Sequence, residues 1–94
     1  MKILQETPKP EVRQFWQQLI EQSLAGNREA LDHLLVSVQP LVYNLAQKML
    51  LNPDDAADAT QEILLKVVLG LQSYDARKAE FTTWVFAIAR NQLL

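Results

Sequence analysis

The residues best placed to do chemistry stand close together in DDAADATQEILLKVVLGL, positions 54–71. On a helix, at about 100° per residue, Asp54, Asp55, Asp58, Gln61 and Glu62 gather on one side. Ala56, Ala59, Ile63, Leu64, Val67 and Leu71 gather on the other, which is the pattern of a face turned to a core. Leu65 and Leu69 break the division, because they fall near the middle of the acidic side. A solvated face tolerates an occasional leucine. A narrow apolar centre rimmed by carboxylates and an amide is also how a helix meets a basic protein partner. Both readings stand on spacing alone.

A second group lies in FTTWVFAIARNQLL, positions 81–94. Helical spacing puts Phe81, Trp84, Val85 and Ile88 on a face that should be buried and Thr82, Thr83, Phe86 and Arg90 on the opposite one. Phe86 and Arg90 are one turn apart. An aromatic ring beside a guanidinium, among hydroxyls, suits stacking on unpaired bases with a contact to backbone phosphate. The plainer alternative is that Phe86 packs against the first helix.

Catalysis finds no such set. No nucleophile, base and oxyanion donors can be assembled, and there is no glycine-rich phosphate loop. His33 beside Asp32 is a solvated surface histidine by pattern. No cofactor or metal ion is expected, and the chain reads as no enzyme. With no cysteine and one histidine, disulfide frameworks and multi-histidine zinc sites are excluded by inventory. The reducing cytoplasm suits such a chain. No apolar run reaches the roughly 18 residues that span a bilayer, and the amino terminus lacks the build of a signal peptide, so no membrane partner is expected. The formal charge of −2 argues against tight unaided binding to duplex nucleic acid, whose affinity comes largely from neutralised phosphates.

These groups need elements to hold them, and the sequence supplies helices only. The 94 residues, 49% hydrophobic, suffice for one domain with a modest core. Pro8 and Pro10 precede a first helix whose stripe is Val12, Trp16, Leu19, Ile20 and Leu24, with Gly26 where it should stop. Residues 1–9 are expected to be loose. Asn27 is the N-cap expected for a second helix bearing Leu31, Leu34, Leu35 and Val38, and Pro40 is expected to interrupt it and start a third that runs to about Leu51. Asn52, Pro53 and the acids after them announce the helix that ends near Leu71. Residues 72–80 read as a connecting loop. The final pattern stops with neither a C-cap glycine nor a polar close, as a helix cut from a longer chain would. No segment alternates with the period of a strand. The expected fold class is all-α, a compact bundle of four to five helices over residues 10–94.

DAADATQEILLKV, followed after the loop by FTTWVFAIARN, resembles region 2 of the sigma-70 family of bacterial RNA polymerase sigma factors, specifically the extracytoplasmic-function group. LIEQSLAGNREALDHLLVSVQPLVYNLAQKMLLNP, positions 19–53, is similar to that group's opening helices, including the internal proline. The resemblance implies that Asp58, Gln61 and Glu62, with Leu65 and Leu69 as apolar centre, dock on the coiled-coil clamp helices of the largest subunits of core RNA polymerase. It implies further that the segment after this helix recognises and opens the minus-ten promoter element, holding flipped bases of the non-template strand. Carried over by position, Tyr74 is the loop aromatic. Phe81, Thr83, Trp84 and Phe86 belong to the melting motif, and Arg90 and Asn91 to the element after it. Asn91 has the amide for a two-sided hydrogen bond to a base edge.

Leu64 and Val68 stand where the group often has phenylalanine and tryptophan, which changes packing and leaves the docking face intact. Thr82 and Ala87 stand where it commonly has basic residues. The basic run that usually follows is absent, as is the promoter-distal domain, so the resemblance implies a fragment of a longer factor. An anti-sigma protein is a further partner compatible with it. The competing reading from another class is a helical interaction module, a sigma-like adaptor that binds polymerase or an anti-sigma protein without reading a promoter.

Overall fold

The structure is a computed structural model that describes residues 9–94. Among them run α1 (Pro10–Leu24), α2 (Arg28–Leu50), α3 (Pro53–Gly70), a 3-10 turn (Leu71–Ser73) and α4 (Phe81–Leu93), with no strand. The all-α bundle expected from the sequence is thus the observed one. The expectation of a loose amino terminus falls, except for Lys9, outside the described residues. No helix among those described is long and apolar enough to cross a membrane.

The ends of the helices follow the local signals. α1 finishes at Ala25, and Gly26 takes the left-handed conformation with φ 98°. The Gly26 N–H donates to the Ser23 carbonyl and the Asn27 N–H to the Gln22 carbonyl, the paired bonds by which a left-handed glycine closes a helix. Asn27 then turns to the next element, and its side-chain oxygen accepts from the Ala30 N–H at 3.0 Å. Asn52 does the same for α3 through the Asp55 N–H, also at 3.0 Å, with Pro53 at the first helical position. Each cap satisfies a donor that the helix cannot.

Pro40 does not divide the second helix. α2 continues through it for 23 residues, so four α-helices form where five were possible. A proline here removes one backbone donor and sets its ring against the carbonyl of Val36. Pro40 is exposed and Val36 is 64% exposed, so the freed carbonyl lies on the water side. Leu34 before the proline, and Val38, Val42 and Ala46 around and after it, are wholly buried. Both halves of the helix are therefore held against the same core, and that packing outweighs the local cost.

α2 is the central element and packs against each of the other three helices. Its buried stripe meets Ile63 and Val67 of α3, Val85 and Ala89 of α4, and Leu19 and Ile20 of α1. Val12 and Leu24, assigned by spacing to the apolar stripe of the first helix, are instead 43% and 47% exposed. The helix is longer than the contact it makes, so only its middle is covered. Among the described residues, Thr60 is the one polar residue among the buried side chains, and its hydroxyl donates to the Ala56 carbonyl at 2.7 Å, which disposes of its only donor.

Replacement of Pro40 by alanine should restore the missing N–H and raise the unfolding free energy by about 1–3 kcal/mol. Urea denaturation checks this, and a midpoint that stays unchanged or falls would mean that the proline ring makes a compensating contact.

Candidate functional site

The phase of α3 sets the first surface. Ala56, Thr60, Ile63, Leu64 and Val67 are buried, which turns Asp54, Asp55, Asp58, Gln61 and Glu62 outward, all exposed. Leu65 and Leu69 go with them, at 58% and 73% exposure. Ala59, assigned to the core side by spacing, is half-buried at its edge. Each leucine leaves most of its apolar area in water at a position where a polar residue would cost the fold little.

Glu62, Leu65 and Leu69 line one shallow open depression together with Lys66 and Gln92. Asp58 and Gln61 stand one turn nearer the amino end of α3 and outside it. Gln92 comes from α4, and its Nε2 donates to Glu62 Oε1 at 2.7 Å. The acidic face is thereby tied to the final helix. Spacing could not show this bond, because the two residues are distant in sequence and neither carries a pattern. Lys66 likewise carries no signal in the spacing, as a lone cation at the border of an acidic face.

The second surface divides in two. Thr83, Phe86, Arg90 and Asn91 are all exposed on α4, Phe86 at 38%. The alternative in which Phe86 is packed under the first helix is therefore not what the fold does. Trp84 and Tyr74 belong to a different arrangement. Both are half-buried. The Tyr74 ring centroid lies 5.1 Å from that of Trp84 and 5.5 Å from that of Phe81. Phe81 in turn is 5.3 Å from Trp16 of α1, itself 5.1 Å from Phe15. Offset and edge-on pairs of this kind each add about 0.5–1.5 kcal/mol beyond burial. The indole of Trp84 also covers Gly70, where an added Cβ would lie 3.3 Å from its ring. The two aromatics thus join the 3-10 turn, α4 and α1, while the exposed quartet looks outward.

The segment between them is held by short-range bonds. The Tyr74 hydroxyl donates to the Ala79 carbonyl at 2.8 Å, closing the loop on itself. Burial, and then the neighbouring Glu80 carboxylate, push the Tyr74 hydroxyl above its ordinary pKa. Asp75 accepts from the Arg77 backbone N–H at 2.9 Å and from its guanidinium at 3.1 and 3.0 Å. Those bonds lower the Asp75 carboxyl to about 2. Arg77 is consequently partly neutralised, which leaves Lys78 as the uncompensated cation of the turn.

One contact crosses from the loop to α1. Arg13 Nε donates to Glu80 Oε1 at 3.2 Å and Arg13 Nη2 to Glu80 Oε2 at 2.6 Å. Neither residue was singled out by sequence pattern, since Glu80 reads as loop and Arg13 as solvated helix surface.

Comparison with known proteins gives these surfaces a context. The Sigma-70 region 2 family model matches residues 34–94, which contain most of α2 and all of α3, the loop and α4. The chain is 29% identical over 72 residues to the ECF RNA polymerase sigma factor SigW of Bacillus subtilis (strain 168), which covers 77% of this chain and 38% of that protein. It is 31% identical over 75 residues to the RNA polymerase sigma-H factor of Pseudomonas aeruginosa, covering 80% of this chain and 38% of that protein. The chain therefore spans about two fifths of the length of the curated relatives it matches. No solved structure matches it significantly. With the family model matching the greater part of the chain, and with these two relatives, the chain belongs to the sigma-70 family, as a region 2 domain of the extracytoplasmic-function group.

Proposed function

We propose that this domain docks on core RNA polymerase through the acidic and leucine face of α3 and recognises and opens the minus-ten promoter element through the loop and α4. The observation that carries the docking half is the exposure of Leu65 and Leu69 on a helix whose other side is core. The occupant would present basic groups around an apolar centre, which fits the clamp helices of the largest subunit. Asp58, Gln61 and Glu62 meet the basic groups, and the leucines lose their water.

The promoter half is supported by Thr83, Phe86, Arg90 and Asn91 standing free on one helix. Phe86 has a ring face for a base unstacked from the non-template strand, Asn91 a donor and acceptor for a base edge, and Arg90 a charge for phosphate. Tyr74 and Trp84 act differently in this scheme. They hold the loop and α4 together, and their exposed edges form the wall against which a displaced base rests.

A second reading draws on charge. Arg90 is the only cation of α4, where Thr82 and Ala87 carry none. A domain that docks on polymerase or an anti-sigma protein and leaves the promoter unread would have the same α3 face and no need of more. Binding to core polymerase does not separate the two readings. Run-off transcription from a promoter library does, since only the first requires a preferred sequence.

Leu65→Lys should change the unfolding free energy by no more than about 0.5 kcal/mol, because the side chain is mostly in water, and should weaken binding to core polymerase by at least about 2 kcal/mol. Thermal melting and a fluorescence titration measure the two terms. A titration that matches wild type would remove α3 from the docking interface.

On α4 the expected results differ between neighbours. Asn91→Ala should relax base preference at one promoter position by about 1–3 kcal/mol, whereas Arg90→Ala should weaken all sequences about equally. Competition among promoter variants in the assembled holoenzyme checks both, and an unchanged preference profile for Asn91→Ala would refute its role at a base edge.

A further inference from the structure

Among the described residues, only two side-chain hydrogen-bonding contacts join one helix to the start or body of another. One is Gln92 to Glu62. The other is the fork between Arg13 and Glu80, which links residues 67 positions apart. Glu80 is the N-cap of α4, with φ −64° and ψ 152°, and its side chain makes no capping bond. Its carboxylate is turned away from the helix it precedes, where an acid would be favoured, and towards α1. Backbone and side chain of Glu80 therefore serve different elements. Its carbonyl accepts from the Trp84 N–H at 3.0 Å to begin α4, while its carboxylate reaches Arg13.

The other polar bonds of the loop are internal to it. Tyr74 closes on Ala79, and Asp75 closes on Arg77 and on the Lys78 N–H. Such bonds shape the loop without fixing where it stands on the bundle. Two things fix that. One is the packing of Tyr74 on Phe81, which in turn packs on Trp16, and the other is the fork from Arg13. The same α1 side chain, with Gln17, walls a narrow cleft whose other side is Tyr74, Ala76 and Glu80. The pair is 50% and 35% exposed, and an ion pair so placed adds little to global stability. Its two-point geometry carries direction instead, since a planar fork fixes the orientation of a carboxylate as well as its distance. The pair also neutralises an acid that would otherwise stand bare beside the surface assigned to the promoter.

We propose that Arg13 is a positioning residue, which through Glu80 sets the placement of the 74–80 loop on the bundle and so tunes the base preference of the promoter surface. This rests on the promoter reading above. It reaches beyond the family-matched residues, which begin at Leu34, and gives α1 a part in specificity that packing alone would not.

The experiment has two readouts on the full chain. Amide hydrogen exchange at Lys78 and Ala79, whose N–H groups donate to the Asp75 carbonyl, reports the loop without DNA. Competition among fluorescent single-stranded oligonucleotides of varied minus-ten sequence, in the presence of core polymerase, reports preference. Arg13→Ala should speed exchange at both amides about two- to fivefold, the range an exposed pair allows, and flatten base preference by a similar factor with little change in melting temperature. The charge-swapped double variant Arg13→Glu with Glu80→Arg should restore both. Exchange that does not respond to Arg13→Ala overturns the positioning role. So does a preference profile that stays at wild type while exchange speeds up. A uniform loss of affinity that the swap fails to rescue would mean that Arg13 contacts phosphate directly, and overturns it too. If exchange responds and is rescued while wild type shows no preference among oligonucleotides, the tether stands and the promoter reading is what fails.

Discussion

The rotation of α3 about its own axis is the constraint from which the rest follows. Ile63 and Val67 are wholly buried against α2 and Thr60 nearly so, and each of the two aliphatic side chains gains about 1.5–3 kcal/mol by leaving water. A turn of one residue that brought Glu62 to the place of Ile63 would also carry Asp55 and Lys66 towards the core and put Leu64 in solvent. Burying an unpaired carboxylate costs several kcal/mol more. The phase is consequently not adjustable, and the exposure of Leu65 and Leu69 is its direct result. The two leucines are not accidents of a loosely placed helix. They are apolar residues on the one face that cannot turn inward.

From that axis the other surfaces are positioned by a short chain of contacts. α3 leads into the 3-10 turn, whose Leu71 is buried, and Gly70 leaves room for Trp84. Tyr74, Phe81 and Trp84 then fasten the start of α4 to the end of α3, and Trp16 adds α1 to the same cluster. At the far end of α4, Gln92 returns to Glu62. The outward-facing quartet on α4 is thus held at both ends of its helix, by rings at one and an amide at the other. A change at the acidic face can be felt on α4 through a single hydrogen bond, although a bond between exposed groups contributes only modestly.

What the sequence made legible was periodicity and punctuation. Apolar spacing gave α3 its core face and its anomalous leucines, and asparagine, proline and glycine marked the ends of α1 and α3 and the starts of α2 and α3. Pro40 misled because a local rule met a nonlocal force, the burial of Leu34, Val38, Val42 and Ala46 on both sides of it. Val12 and Leu24 misled for the opposite reason. They have the right spacing, but no apolar neighbour covers them at the ends of α1. The bonds from Arg13 to Glu80 and from Gln92 to Glu62 were not readable at all. Charged and amide side chains at exposed positions have many possible partners in a sequence, and only the fold selects one. Tyr74 and Trp84 were named as DNA contacts through the family resemblance, and the structure shows them engaged with one another and with Phe81.

Charge sets the remaining relation between the two surfaces. The domain carries a formal −2, and four of its eleven acids share one face of α3. Of the cations near the surface proposed for the promoter, Arg13 is committed to Glu80 and Arg77 to Asp75, which leaves Lys78 and Arg90. Two phosphate contacts release few counterions, so the electrostatic share of DNA affinity is small and the isolated domain is a poor trap for duplex. A partner that covers the acidic face changes this balance in two ways. It removes the negative field of Asp54, Asp55, Asp58 and Glu62 from the vicinity of the nucleic acid, and it adds a basic surface of its own. On the proposed function, docking and promoter reading are then coupled by electrostatics, with no movement of the bundle required. If the domain reads DNA as proposed, the scarcity of positive charge on α4 is a reason for it to do so only once polymerase is in place.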